Sequence, residues 1–151
     1  MVRPFLGLIL AGGMLTGGMA MGTAHAASKT HGMMSSNVML GSLGGSGITG
    51  TAAFTYNSAT KMTTVKLTIK HLKANSLHPA HIHMGRCGKA GAPGKVLYPF
   101  PVLKAGRNGI AVAKMSFPAN YQHKMWAVNV HTGPGLAPAS QYKVLACGNI
   151  M

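Results

Sequence analysis

The chain has 151 residues, among them 14 lysines and arginines and no aspartate or glutamate, so its formal net charge is +14. It can therefore form no salt bridge to a side-chain carboxylate, and it can build neither a paired-carboxylate active site nor a Ser-His-Asp triad. The basic residues are scattered singly, which argues against a nucleic-acid role. A surface of this charge attracts small anions and anionic surface polymers.

Residues 1–26 have the three parts of a secretory signal peptide. A cationic start at Arg3 precedes an apolar run from Phe5 to Leu15, and small residues lead to Ala24 and Ala26. The apolar run is shorter than the roughly 20 residues of a membrane span. We therefore expect cleavage after Ala26, a secreted, periplasmic or cell-envelope location, and no membrane span in the mature chain. An uncleaved anchor is the alternative.

Residues 27–46 are rich in glycine, serine and methionine. This composition predicts a flexible leader, with ordered structure beginning near Ile48. The run His31-Gly32-Met33-Met34 contains soft thioethers that could bind Cu(I), although a flexible methionine-rich leader is the simpler interpretation.

Residues 47–151 show the period-two alternation of β-strands and no sustained helical stripe. Residues 51–56 and 65–70, separated by a polar turn, predict a hairpin. Five further strands are predicted over 80–84, 96–103, 110–117, 125–131 and 142–146. Seven or eight short strands with Gly/Pro turns indicate an antiparallel β-sandwich or barrel. Because Pro99 and Pro101 interrupt one strand, that strand must be irregular or at an edge.

Two histidines two residues apart, His81 and His83, lie in a predicted strand, so they project from the same face and can hold one metal ion. His131 ends another strand and offers a third imidazole if the two strands pack side by side. All-imidazole ligation suits copper or zinc, and the Irving–Williams order favours copper. The alternative is that these are polar residues at a strand end.

The two cysteines, Cys87 and Cys147, both follow the signal peptide. An even number of cysteines in an exported chain favours a disulfide over two free thiols.

Three segments in the correct order resemble Cu/Zn superoxide dismutase: residues 47–54, the H-x-x-H-x-H run from His78 to His83 that follows 69–74, and the ending 145–150. The resemblance implies a Greek-key antiparallel β-sandwich over 47–151. It also implies copper ligands at His81, His83 and His131, a structural role for His78 through a backbone hydrogen bond, and a disulfide between the two cysteines.

Departures from that family are equally specific. The family's zinc site uses histidines and an aspartate after the H-x-H strand, but residues 84–122 contain no histidine and the chain contains no aspartate, so no zinc is expected. The bridging histidine is also missing, which leaves water, His123 or Met84 as the fourth copper ligand, although core packing is the simpler role for Met84. Val144 stands where the family has its guiding arginine, and Lys143 is one position away.

The chain also resembles the CHRD domain in residues 80–83, in the Gly/Pro-rich stretch that follows, and in residues 128–132. Two functions therefore stay open. One is an exported copper protein with dismutase-like chemistry on superoxide. The other is a non-catalytic secreted CHRD-like module that binds partners or anionic surface polymer. Since no carboxylate can be protonated, we also expect this basic protein to be adapted to acid.

Overall fold

The computed structural model describes residues 32–135 and 142–151, which form ten β-strands and no α-helix. In chain order the strands are β1 Met33–Ser42, β2 Thr49–Asn57, β3 Met62–Lys70, β4 Leu77–His78, β5 Ala80–Met84, β6 Val96–Pro99, β7 Leu103–Lys104, β8 Ala111–Phe117, β9 Trp126–His131 and β10 Val144–Ile150. In this part of the chain, no helix has the length and apolar character that crossing a membrane requires.

Eight strands form one antiparallel sheet in the order β6-β5-β9-β10-β1-β2-β3-β8, and β4 pairs separately with β7. The sheet folds over so that its two halves bury a common core. Phe54 and Leu67 from one half, and Ile82 and Val128 from the other, are fully buried in that core. The predicted Greek-key β-sandwich is confirmed, with eight strands in the main sheet and two short strands beside it.

The predicted hairpin is present as β2 and β3, which pair along their whole length from Thr49 opposite Lys70 to Asn57 opposite Met62. Inward side chains alternate with outward polar ones in both strands. The period-two pattern is enough to place these strands because one face of the sheet meets the core and the other meets solvent.

The predicted flexible leader is wrong for residues 33–42, which form β1. This strand pairs with β2 from Met33 opposite Asn57 to Leu40 opposite Gly50, and its end pairs with β10. Val38 and Leu40 are 5% and 2% exposed. The composition suggested a flexible segment, but β2 pairs with most of this strand and β10 with its end, and two buried side chains anchor it to the core.

The predicted strand over 96–103 is divided into β6 and β7, with Pro101 between them. Proline donates no backbone hydrogen bond, so the sheet ladder cannot continue there. The expectation that this strand lies at an edge is confirmed, because β6 is the first strand of the sheet. The last strand begins at Val144 and extends to Ile150, beyond the predicted 142–146.

The signal peptide, its cleavage site and His31 lie outside the described residues. Their assignments stay predictions.

Candidate metal centre

Strands β5 and β9 bring His81, His83 and His131 together. The two strands are antiparallel neighbours, with His81 opposite Asn129 and His83 opposite Ala127. His131 is two residues beyond Asn129 and therefore lies on the same face. The three ring centroids are 5.2–5.7 Å apart, and one nitrogen from each ring lies within 4.8 Å of the others.

Backbone carbonyls hold two of these rings in one orientation. Nδ1 of His83 donates to the carbonyl of Gly94 at 2.8 Å, and Nδ1 of His131 donates to the carbonyl of Tyr142 at 2.8 Å. Since a carbonyl only accepts, these bonds place the proton on Nδ1 and leave Nε2 with a free lone pair. Metal-bound imidazoles are commonly oriented in this way.

Three imidazole nitrogens in the cluster are buried without a hydrogen-bond partner: Nδ1 of His81, Nε2 of His83 and Nε2 of His131. The three side chains are only 7%, 9% and 5% exposed. A buried polar atom without a partner costs free energy. Each ring thus has a buried nitrogen free to bind a cation, and one nitrogen from each ring lies within 4.8 Å of the others, so the three histidines can hold one metal ion.

Burial keeps the imidazoles of His81 and His131 neutral at physiological pH. It lowers the pKa of His81 to about 4, and the neighbouring His131 and His83 add to this effect because a second positive charge would be close. Burial also lowers the pKa of His131, against the opposing effect of its hydrogen bond to Tyr142. Proton competition for His81 therefore begins at a lower pH than the ordinary imidazole pKa of about 6.5 suggests.

The segment 85–95, which we call the covering loop, packs over this face of the sheet. The disulfide between Cys87 and Cys147 ties it to β10, with a Cα–Cα distance of 5.9 Å. The backbone N–H of Cys87 donates to Oδ1 of Asn149 at 2.8 Å. The disulfide predicted from the sequence is present, and it fixes the loop that carries the carbonyl acceptor of His83.

Asn129 is a residue of this site that the sequence analysis missed. Its side chain is 1% exposed, accepts from the N–H of Ala92 and donates to the carbonyl of Ala92, both at 3.1 Å. The two bonds join the covering loop to β9. A signal was available, because Asn129 precedes His131 by two residues and therefore shares its face, but nothing in the sequence identified its partner.

His78 lies beside the cluster. Its Nδ1 donates to the carbonyl of His131 at 2.9 Å, and its Nε2 lies 2.8 Å from the hydroxyl of Ser76. The bond to the His131 carbonyl is of the kind that the resemblance implied for His78, and it connects β4 to the end of β9.

The two side chains considered as a fourth ligand lie elsewhere. His123 is exposed and Met84 is 44% exposed, and both line a surface cleft rather than the histidine cluster. Core packing, the simpler role predicted for Met84, is therefore wrong: the residue ends its strand, beyond the cover of the core. Val144 is buried against the covering loop, and Lys143 is exposed.

Comparison with known families assigns the chain. Residues 30–135 match the CHRD domain family. This chain belongs to the CHRD domain family. No curated protein compared with it matches in sequence.

Two solved structures share the fold of this chain. A Cu/Zn superoxide dismutase from Brucella abortus superimposes with a TM-score of 0.54 at 18% identity, covering 78% of this chain and 100% of the other. A SOD-like protein from Bacillus subtilis superimposes with a TM-score of 0.57 at 17% identity, covering 76% and 97%. At these identities the likeness concerns the fold alone, and both resemblances predicted from the sequence are confirmed.

The residues of this CHRD domain fit a resident copper or zinc ion. The donors are three imidazoles, and imidazole suits both metals. Each buried nitrogen that lacks a protein partner would gain one, and two of the rings are already oriented by carbonyls. The donor set alone does not choose between the metals.

Proposed function

We propose that this chain is an exported copper-binding protein that holds copper through His81, His83 and His131. The observation that carries the proposal is that one nitrogen from each of the three buried rings lies within 4.8 Å of the others, and that each ring has a buried nitrogen without a protein partner. The Irving–Williams order favours copper over zinc at these three imidazoles, and the chain has no aspartate with which to build a separate zinc site. The disulfide is consistent with an extracellular protein, since disulfides persist in oxidising compartments.

The catalytic part of the proposal is dismutation of superoxide. Copper, when bound, supplies one-electron redox chemistry. The protein's part is to keep His81 and His131 neutral, to orient the rings of His83 and His131 through Gly94 and Tyr142, and to present a positive surface to an anionic substrate.

The direct test is metal analysis after reconstitution with Cu(II) and Zn(II) together. We expect one copper and no zinc per chain. His83→Ala should lose the copper and keep the disulfide-closed fold, because the histidine face lies outside the main core. The matched control is His71→Asn, since His71 is exposed and Asn tolerates its φ of 66°. This control should still bind one copper.

Activity is tested separately by measuring the rate at which superoxide disappears. The copper-loaded protein should raise this rate in the presence of EDTA, and the His83→Ala variant should leave it unchanged. Copper binding without acceleration would keep the binding proposal and reject the catalytic one.

A second candidate is a non-catalytic module that binds anionic surface polymer. It is supported by the 14 basic residues in a chain without a carboxylate side chain. Under this alternative, reconstitution at micromolar concentrations yields neither metal, while a polyanion such as heparin binds in a salt-dependent manner.

A further inference from the structure

A cleft beside the end of β5 is separate from the histidine cluster. It has a volume of about 680 Å³ and lies between the end of β5, the end of the covering loop and the segment before β9. Met84 forms one wall of the cleft. Because Met84 follows His83 in the strand, its side chain points to the opposite face from the histidines. The volume is in the range of small-molecule sites, about 300–1,000 Å³.

The walls of the cleft are mainly apolar. Met84 and Met125 are 44% and 67% exposed, and Trp126 and Pro93 line the same space. Methionine adapts its shape to different apolar partners, and tryptophan offers a large flat surface. Two exposed methionines beside an indole are thus a surface that an apolar ligand body can cover.

Two cations, Lys95 and Lys124, line the same cleft, and both are exposed. In most proteins such lysines have carboxylate neighbours. Here no side-chain carboxylate exists anywhere in the chain. An anionic ligand therefore meets two ammonium groups and no repelling side chain, which is the charge complementarity that favours an anion.

Backbone hydrogen bonds preform the cleft. The N–H of Met84 donates to the carbonyl of Lys95 at 3.0 Å, and the N–H of Gly94 donates to the carbonyl of Met84 at 3.1 Å. The N–H of Gly85 donates to the carbonyl of Met125 at 2.7 Å. Because the three lining segments are joined in this way, little ordering is required when a ligand binds.

We propose that this cleft binds a small amphipathic anion, a monocarboxylate with an apolar body. The body lies against Met84, Met125 and Trp126, and the carboxylate lies between Lys95 and Lys124. The proposal is independent of metal binding at the histidines.

The test uses Trp126, which is the only tryptophan of the chain and lies in the cleft. Titration of the purified, metal-free protein with octanoate should change its fluorescence in a saturable manner. Octan-1-ol, which has the same body without the charge, should bind more weakly. The double variant Lys95→Gln/Lys124→Gln should weaken octanoate binding by roughly fivefold, as expected for exposed ion pairs.

The matched control is Lys66→Gln/Lys114→Gln, which removes the same charge from the outer face of β3 and β8. It should change the octanoate affinity by less than about twofold, because neither lysine lines the cleft and exposed charges are screened by salt. Met125→Glu, which adds a carboxylate at an exposed wall position, should abolish binding. Equal weakening by both lysine pairs, equal binding of octanol and octanoate, or no saturable change in fluorescence would overturn the proposal.

Discussion

The imidazoles of His83 and His131 are oriented by backbone atoms rather than by acidic side chains. Carbonyls of Gly94 and Tyr142 accept the Nδ1 protons of these two rings. In a chain without carboxylates, carbonyls are the strongest acceptors available for this purpose. Burial then keeps His81 and His131 neutral, as their lowered pKa values show.

The lowered pKa of His81 predicts how the stability of the metal-free protein depends on pH. The unfolded chain binds this proton near pH 6.5 and the folded chain only near pH 4. The unfolded state is thus favoured as the pH falls through this window. The free energy of unfolding should fall by roughly 2 kcal/mol between pH 7 and pH 4, once screening by nearby water is allowed for. His131 acts in the same direction.

Below pH 4 the free energy of unfolding should fall no further, because the chain has no carboxylate side chain that could be protonated. Thermal unfolding from pH 2 to pH 7 measures this. His81→Gln should flatten the slope between pH 4 and pH 6.5. A steep collapse below pH 4 would reject the expected acid adaptation, and an unchanged slope in the variant would contradict the role given to His81.

Two paired strands and one loop form the site. Strands β5 and β9 present the three histidines on one face, and the covering loop packs on that face. Asn129 and the disulfide hold the loop in place. The loop therefore sets the orientation of His83 through the carbonyl of Gly94, although it contributes no metal-ligating side chain.

Gly94→Ala tests this role of the covering loop. A Cβ at Gly94 would lie 2.2 Å from the carbonyl oxygen of Met84, so the backbone must move and carry away the acceptor of His83. We expect copper affinity to fall by about 10- to 100-fold, the usual effect of losing an outer hydrogen bond to a ligand. Competition titration with a copper chelator measures this.

Gly88→Ala is the control within the same loop. There the nearest atom to an added Cβ is the carbonyl oxygen of Gly91 at 3.7 Å, which is an ordinary contact. Its copper affinity should match that of the unmodified protein. Equal losses in the two variants would show that the loop acts only through general stability.

The molecule as a whole combines an apolar sandwich core with a surface of one charge sign. Since no salt bridge to a side-chain carboxylate can form, stability must come from the core, the sheet hydrogen bonds and the disulfide. The disulfide links residues 60 apart in sequence, and it joins the covering loop to the last strand.

Replacing both cysteines, Cys87→Ser/Cys147→Ser, should lower the free energy of unfolding by about 4 kcal/mol, because a loop of this length is no longer closed in the unfolded chain. Urea denaturation measures the change. The unmodified protein after reduction should behave like the variant. A loss below about 1 kcal/mol would indicate that the core and sheet alone hold the covering loop.

The sequence by itself determined the strands whose two faces differ in polarity, namely the hairpin β2–β3 and strands β5, β8 and β9. It also determined the pair His81 and His83, because period-two geometry needs no tertiary partner. Three short motifs in the correct order gave the family resemblance, and the resemblance implied the role of His131 and the pairing of the two cysteines. The strands and the histidine pair are local features, and each motif is a short run of residues.

Only the tertiary structure decided the rest. Residues 33–42 form a strand because β2 pairs with most of their length and β10 pairs with their end. Met84 and His123 line a common cleft away from the three histidines. Asn129 forms hydrogen bonds with the covering loop. Each of these outcomes depends on contacts between residues far apart in the chain, which no local pattern of polarity or composition specifies.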